Sequence, residues 1–217
     1  PTVAIVGGGA SGIAAACAIA ACARATQVTV RVVVIEKGRR IGSSILRSGN
    51  GRCNFSHEDM RPVLFNQPAF VERVFDALEV AFADSPLKTS GAPVRSAYEN
   101  AVLQWFTSLG LVWREALLSG GALYPFSNKA TSVLEVLEAE LDRCNVERYC
   151  GVAVAQIAKQ ESRFVLELKR TEGGSQGQGG VAGMNASDVT LGRRETFSAD
   201  VVVYAAGGGA SALHEQG

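Results

Sequence analysis

The sequence carries no excess charge of either sign, with 21 Lys plus Arg against 21 Asp plus Glu among its 217 residues. No overall field therefore draws it to nucleic acid or to an anionic membrane surface, neither is expected as a partner, and any bound anion must be held by local groups. No apolar run approaches the roughly 20 residues that span a bilayer, and the first strand begins at once. Neither a membrane segment nor a secretory leader is expected, and the expected location is cytoplasmic. Histidine is scarce, and His57 and His214 show neither metal-ligand nor triad spacing. The cysteines, Cys17, Cys22, Cys53, Cys144 and Cys150, are odd in number and lack CxxC pairs. Neither a disulfide framework nor a metal site is expected. Cys17 and Cys22 lie in an alanine-rich stretch, where a small apolar side chain packs well.

What is present is an ordered series of α/β signals. Val3 to Val6 is a short apolar run that ends in three glycines, followed by the alanine-rich stretch Ala10 to Arg24 and the β-branched run Val28 to Ile35. Strand, glycine turn, helix and strand imply a parallel pair, the opening of a doubly wound sheet over residues 1–37. Residues 38–57 read as an extended loop, because glycine, serine, arginine and asparagine recur without periodicity between Gly38 and Asn54. Helices are predicted over Ala69–Ala83, Ala97–Leu109 and Thr131–Arg143 within a helical region 68–143, with a short strand at Leu111–Trp113. From 146 to 209 the pattern becomes a β-meander, with strands at Val152–Ile157, Phe164–Leu168 and Ala199–Ala206. Six glycines between Gly173 and Gly183 have the composition of a flexible linker, read as a hairpin tip without function.

The sharpest motif is Gly7-Gly8-Gly9-Ala10-Ser11-Gly12, a GxGxxG placed between a strand and a helix. Gly7 allows the turn, Gly9 lets a pyrophosphate approach the backbone, and Gly12 lets helix and strand pack closely. The first free amides of the helix, at Ala10, Ser11 and Gly12, face the anion. Glu36 ends the second strand 24 residues beyond Gly12, where a carboxylate can accept from the ribose hydroxyls of an adenosine. It would repel the 2′-phosphate of NADP, although beyond Lys37, itself an expected cofactor contact, Arg39 and Arg40 follow closely and can offset that repulsion. This much fits NAD as well as FAD.

Two further segments favour FAD. In Ser48-Gly49-Asn50-Gly51-Arg52-Cys53-Asn54, Arg52 supplies cationic donors, the glycines expose amides, and Asn50 and Asn54 offer amide groups, a mixture suited to a pyrophosphate or the polar edge of a flavin. The other reading of this segment is an asparagine-glycine turn. In Val201 to Gly209 an apolar strand runs straight into glycines, so that Ala206, Gly207 and Gly208 can pass close beside a cofactor. A buried strand with a glycine turn gives the same pattern. Cys53 invites a redox role beside Arg52, but a disulfide relay needs a resolving partner, and a structural role is favoured.

Across Val3 to Gly12, Val34 to Lys37, Ser48 to Asn54, Leu123 to Ala130 and Asp200 to Gly209 the sequence resembles the HI0933-like, or YhiN-like, flavoproteins, a family of NAD(P)/FAD-dependent oxidoreductases. The resemblance implies a Rossmann-like, glutathione-reductase-like FAD domain with a β-meander. It also implies that a cap or substrate domain and a C-terminal return segment are missing here, which would leave an exposed sheet edge open to association. It adds Val154 to the expected cofactor contacts and implies FAD as cofactor, with NAD(P)H as a reductant, in an oxidoreductase acting on a small molecule of unknown identity. Ala206 stands where the related motif often has threonine. The catalytic residues are unknown, and the rival functions are a flavin- or nucleotide-binding module without turnover and an NAD-binding Rossmann protein.

Overall fold

The computed structural model describes residues 1–57, 59–81, 97–115, 120–171 and 195–207. The chain divides into two compact units, one of residues 1–45 with 137–217 and one of residues 46–136.

The first unit is built on a parallel sheet. Strand β1 (Thr2–Val6) leads through the glycine turn into helix α1 (Ala10–Ala25), and the chain returns in β2 (Arg31–Glu36). Two more strands complete the sheet, β6 (Glu147–Cys150) beside β2 and β10 (Val201–Tyr204) beside β1, in the order β10-β1-β2-β6 with every pair parallel. The Val3–Val6 and Val32–Ile35 runs are buried throughout because both faces of this sheet are covered. One face packs on α1, whose Ile13, Ala16, Cys17 and Ala20 are buried. The other carries Ala4, Val6, Val33, Ile35 and Tyr149 against Val152, Leu166, Leu168 and Phe197 of a three-stranded antiparallel meander. That meander is β7 (Val152–Gln160), β8 (Arg163–Arg170) and β9 (Glu195–Ala199).

This arrangement corrects three expectations. The stretch 199–206 is two strands in different sheets: β9 closes the meander, Asp200 makes the crossing, and β10 joins the parallel sheet. Asp200 exchanges hydrogen bonds with Thr2, its amide donating to Thr2 O at 2.9 Å and its carboxylate accepting from Thr2 N at 2.6 Å, so the chain is pinned where it changes sheet. Residues 147–150 likewise belong to the parallel sheet and not to the meander. Val28 lies outside β2, half-exposed, because Gln27 takes a left-handed conformation (φ 54°) and the Val28 amide closes the end of α1 on Ala23 O at 2.9 Å.

The second unit contains a small antiparallel sheet in the order β3-β5-β4, formed by β3 (Ser56–His57), β4 (Trp113–Glu115) and β5 (Ala122–Pro125). Its helices are α3 (Pro68–Ala81) and α4 (Ala97–Ser108), while α5 (Ala130–Arg143) continues from it into the first unit. The predicted end of α3 at residue 83 and the glycine-rich stretch 173–183 lie outside the described residues. The expected loop between Gly38 and Asn54 instead contains helix α2 (Ser43–Arg47) and a 3-10 turn at Ser48–Gly51. Among the described residues no helix is long and apolar enough to cross a membrane, and no cluster of three potential metal ligands occurs.

Candidate functional site

The glycine turn lies at the carboxyl ends of the parallel strands, where open α/β sheets bind ligands. Its glycines are required for different reasons. Gly7 has φ 108°, and a Cβ there would lie 2.4 Å from Ala205 O, at the end of β10. A Cβ on Gly12 would lie 1.9 Å from Gly7 O, so helix and turn meet at main-chain contact. Gly8, which the motif leaves free, is also crowded, since a Cβ there would lie 2.7 Å from the side-chain Cγ2 of Ile41.

Gly9 differs from all three. Its backbone (φ −80°, ψ −172°) is one that any residue adopts, and only Ser44 Oγ, at 3.3 Å, would come within 4 Å of an added Cβ. No positive φ and no main-chain clash demands glycine here, although as the N-cap of α1 the position favours glycine over alanine. No side chain caps α1, and no acid lies in its first turn. Ala10 and Ser11 are exposed at the opening, so the helix offers its positive end to an anion.

Glu36 is brought to the same turn. Its Oε2 accepts from Gly8 N at 2.6 Å and its Oε1 from Gly38 N at 2.6 Å. A carboxylate has about four acceptor sites, so about two are left for donors such as vicinal hydroxyls. The segment after β2 folds over the turn. Gly42 N donates to Gly8 O at 2.7 Å, and Ile41 is buried against Gly8. Lys37, Arg39 and Arg40 are exposed. The sequence alone does not single out Gly8 and Ile41, because their importance lies in a contact between segments more than 30 residues apart.

Cys150 pairs in register with Glu36, and burial raises its thiol above the ordinary range. Val154 packs its side chain on the hydrophobic core beside a bulge in β7. Ala205 N donates to Val6 O at 2.8 Å, Ala206 is half-buried and Gly207 exposed. Gly208 lies outside the described residues.

In the second unit the Ser48–Asn54 segment is a tight left-handed coil. Gly49 (φ 54°), Asn50 (54°), Gly51 (79°) and Cys53 (57°) all take positive φ, a conformation that strains Cys53 in particular. Cys53 N donates to Ser48 O at 3.1 Å, and Arg52 Nε donates to Gly49 O at 3.3 Å. The Arg52 guanidinium also sits 5.0 Å from the Tyr124 ring centre. Asn54, with its amide oriented to satisfy its neighbours, donates to the main-chain oxygens of Leu123 and Ser56. Asn50, Gly51 and Arg52 are left exposed at the tip. Cys53 is buried, and burial raises its thiol despite a hydrogen bond from Ser48. Burial thus disfavours a thiolate beside Arg52, in keeping with the structural role favoured for Cys53.

The model of the HI0933-like protein Rossmann domain matches residues 1–213. A 3-dehydro-bile acid delta(4,6)-reductase of Clostridium scindens is 34% identical over 207 residues, covering 95% of this chain and 39% of that protein. A ribosomal RNA dihydrouridine synthase of Escherichia coli is 28% identical over 169 residues, covering 76% of this chain and 34% of that protein. The chain thus spans well under half the length of the curated relatives it matches. Among solved structures, glycine oxidase from Geobacillus kaustophilus superposes with a TM-score of 0.44 at 20% identity, over 99% of this chain and 57% of that one.

Proposed function

The chain belongs to the HI0933-like family, and from that membership and the open glycine at the head of α1 we propose that it binds FAD and serves an oxidoreductase. The observation that carries the reading is Gly9, whose main chain is left open to the approach of a ligand, with Glu36 at the same turn. In this reading the pyrophosphate lies on Gly7, Gly9 and the amides of Ala10, Ser11 and Gly12, and Glu36 accepts from the adenosine ribose. Lys37 and Arg40 lend positive charge to the rim. Ser48, Gly49, Asn50, Gly51, Arg52 and Asn54 contribute further polar contacts, and Val154, Ala206 and Gly207 line the cofactor.

The bound flavin supplies hydride or electron transfer, while the protein positions it and sets its electrostatics. A relative that matches over 95% of this chain is named a reductase, which favours reduction of an organic substrate with NAD(P)H as the electron source. Ribosomal RNA is the less favoured substrate class, because the chain has no net positive charge to draw a polyanion. Heat release of the bound ligand, identified by absorbance and mass, tests the cofactor. Anaerobic bleaching of the yellow protein with NADH or NADPH tests the reductant. A colourless protein that binds NAD and not FAD overturns the reading.

A further inference from the structure

We propose that the second unit holds a binding site for a neutral, largely apolar small molecule that carries a carbonyl or hydroxyl oxygen, with Ser56 as its polar anchor. Every lining residue belongs to the unit of residues 46–136, and the inference goes beyond the FAD reading without depending on it. An open hollow of about 420 Å³ lies beside β3, a size within the range of roughly 300–1,000 Å³ usual for small-molecule sites. Its apolar wall is Phe55, Met60, Leu64 and Phe65. The aromatic parts of that wall are braced from behind, Phe55 by Phe106 at 4.9 Å between ring centres and Phe65 by Phe75 at 6.3 Å. Leu64 N donates to Arg61 O and Phe65 N to Pro62 O, both at 3.0 Å, so the backbone is fixed while Leu64 stays 58% exposed.

The polar groups of the hollow decide what fits it. Ser56 is 6% exposed, and its buried Oγ has no hydrogen-bond partner among the described residues. Buried hydroxyls in folded proteins are nearly always partnered, and an oxygen of a seated molecule supplies the missing bond. Asp59 N donates to His57 Nδ1 at 2.9 Å, which puts the ring proton on Nε2 and makes that nitrogen a second donor. The amide of Asn54 is spent on the main-chain oxygens of Leu123 and Ser56 and only shapes the wall. Asp59 is the one charged group in the lining, and Arg61 Nε and Nη2 hold its carboxylate at 2.8 and 2.6 Å. With that charge matched, the hollow favours neither a cation nor an anion, and selection falls to apolar burial and a directed hydrogen bond at Ser56.

The test is equilibrium dialysis of 2-acetylnaphthalene, naphthalene and 2-naphthoate against the wild-type chain and the Ser56→Ala and Leu64→Asp variants, with thermal melts alongside. 2-Acetylnaphthalene should saturate at one per chain, and the anionic 2-naphthoate should bind at least about tenfold more weakly, because its charge finds no partner. Ser56→Ala should weaken 2-acetylnaphthalene by about three- to tenfold, the loss of one neutral hydrogen bond, and leave naphthalene unchanged. It should melt no earlier than wild type, since no bond within the protein is lost. Leu64→Asp, at an exposed position, should melt like wild type and lose both neutral probes. Absence of saturable binding to wild type, equal loss of naphthalene in Ser56→Ala, or earlier melting of that variant overturns the assignment. A chain that binds no FAD leaves it standing.

Discussion

Exchanging Gly9 or Gly12 for alanine adds the same methyl group three residues apart, and the structure assigns the two changes opposite consequences. At Gly12 the new Cβ would lie 1.9 Å from Gly7 O, about 1.5 Å short of ordinary contact, and the atom it meets is main chain that cannot turn aside. Overpacking of this kind costs about 1–3 kcal/mol, and a rigid backbone neighbour places it at the upper end. For a chain of this size that is a fall in Tm of roughly 6–12 °C. At Gly9 the methyl meets only an exposed serine hydroxyl, at 3.3 Å, in a backbone conformation that alanine adopts freely. Restricting the unfolded chain stabilises by about 0.4–1 kcal/mol, and losing glycine at the N-cap costs a similar amount. Stability should therefore stay within about 0.5 kcal/mol of wild type. Binding should not, because the methyl fills the space where phosphate meets the backbone, and lost charge-assisted contacts reduce FAD affinity by at least about tenfold. Differential scanning fluorimetry on apoprotein and fluorescence titration with FAD measure the two quantities separately. If Gly9→Ala melts as early as Gly12→Ala, or binds FAD like wild type, the functional reading of Gly9 is wrong.

Three other perturbations follow from the same geometry. Glu36→Gln should weaken FAD binding and also lower Tm, because a neutral amide cannot accept at both positions where Gly8 N and Gly38 N now donate; unchanged affinity with a lowered Tm would leave Glu36 a structural residue only. Hydrogen bonds from Arg31, which bridges β2 to β6, hold the Glu147 carboxyl below the ordinary glutamate range, aided by Tyr149. The stability this contributes is full above that range and is lost as pH falls through the depressed value, so an Arg31→Ala variant should show a flatter acid limb in Tm against pH than wild type. Arg52→Ala should reduce FAD retention more than Arg39→Ala, since Arg52 braces its coil through Gly49 O and Tyr124 while Arg39 is exposed; the opposite order in side-by-side titrations would remove the Ser48–Asn54 segment from the site.

The opening βαβ unit was legible in the sequence because its information is local. Apolar runs, a glycine triplet and an alanine-rich helix specify β1, α1 and β2 to within a few residues, and Glu36 stands at the strand end the motif predicts. The errors arose where structure depends on distant partners. Nothing near Asp200 shows that it binds Thr2, 198 positions away, and so divides one apolar stretch between two sheets. Residues 38–54 have the composition of a loop, yet Gly8 holds Gly42 and Ile41 in place and a short helix follows. The site was legible by the same measure. Gly7, Gly9 and Gly12 belong to a motif, whereas Gly8 and Ile41 acquire their place in the turn only when two segments meet.

The two short hydrogen bonds of Glu36 have a consequence for the timing of the entropic cost. The turn amide of Gly8 and the bend at Gly38 are tied to one carboxylate before any ligand arrives, so the loss of backbone freedom is borne during folding and not during association. A ligand of this turn would then meet a backbone already tied in place. Encounter should be limited by diffusion and orientation, with no slow ordering step, and differences among ligands should appear mainly in their rates of departure.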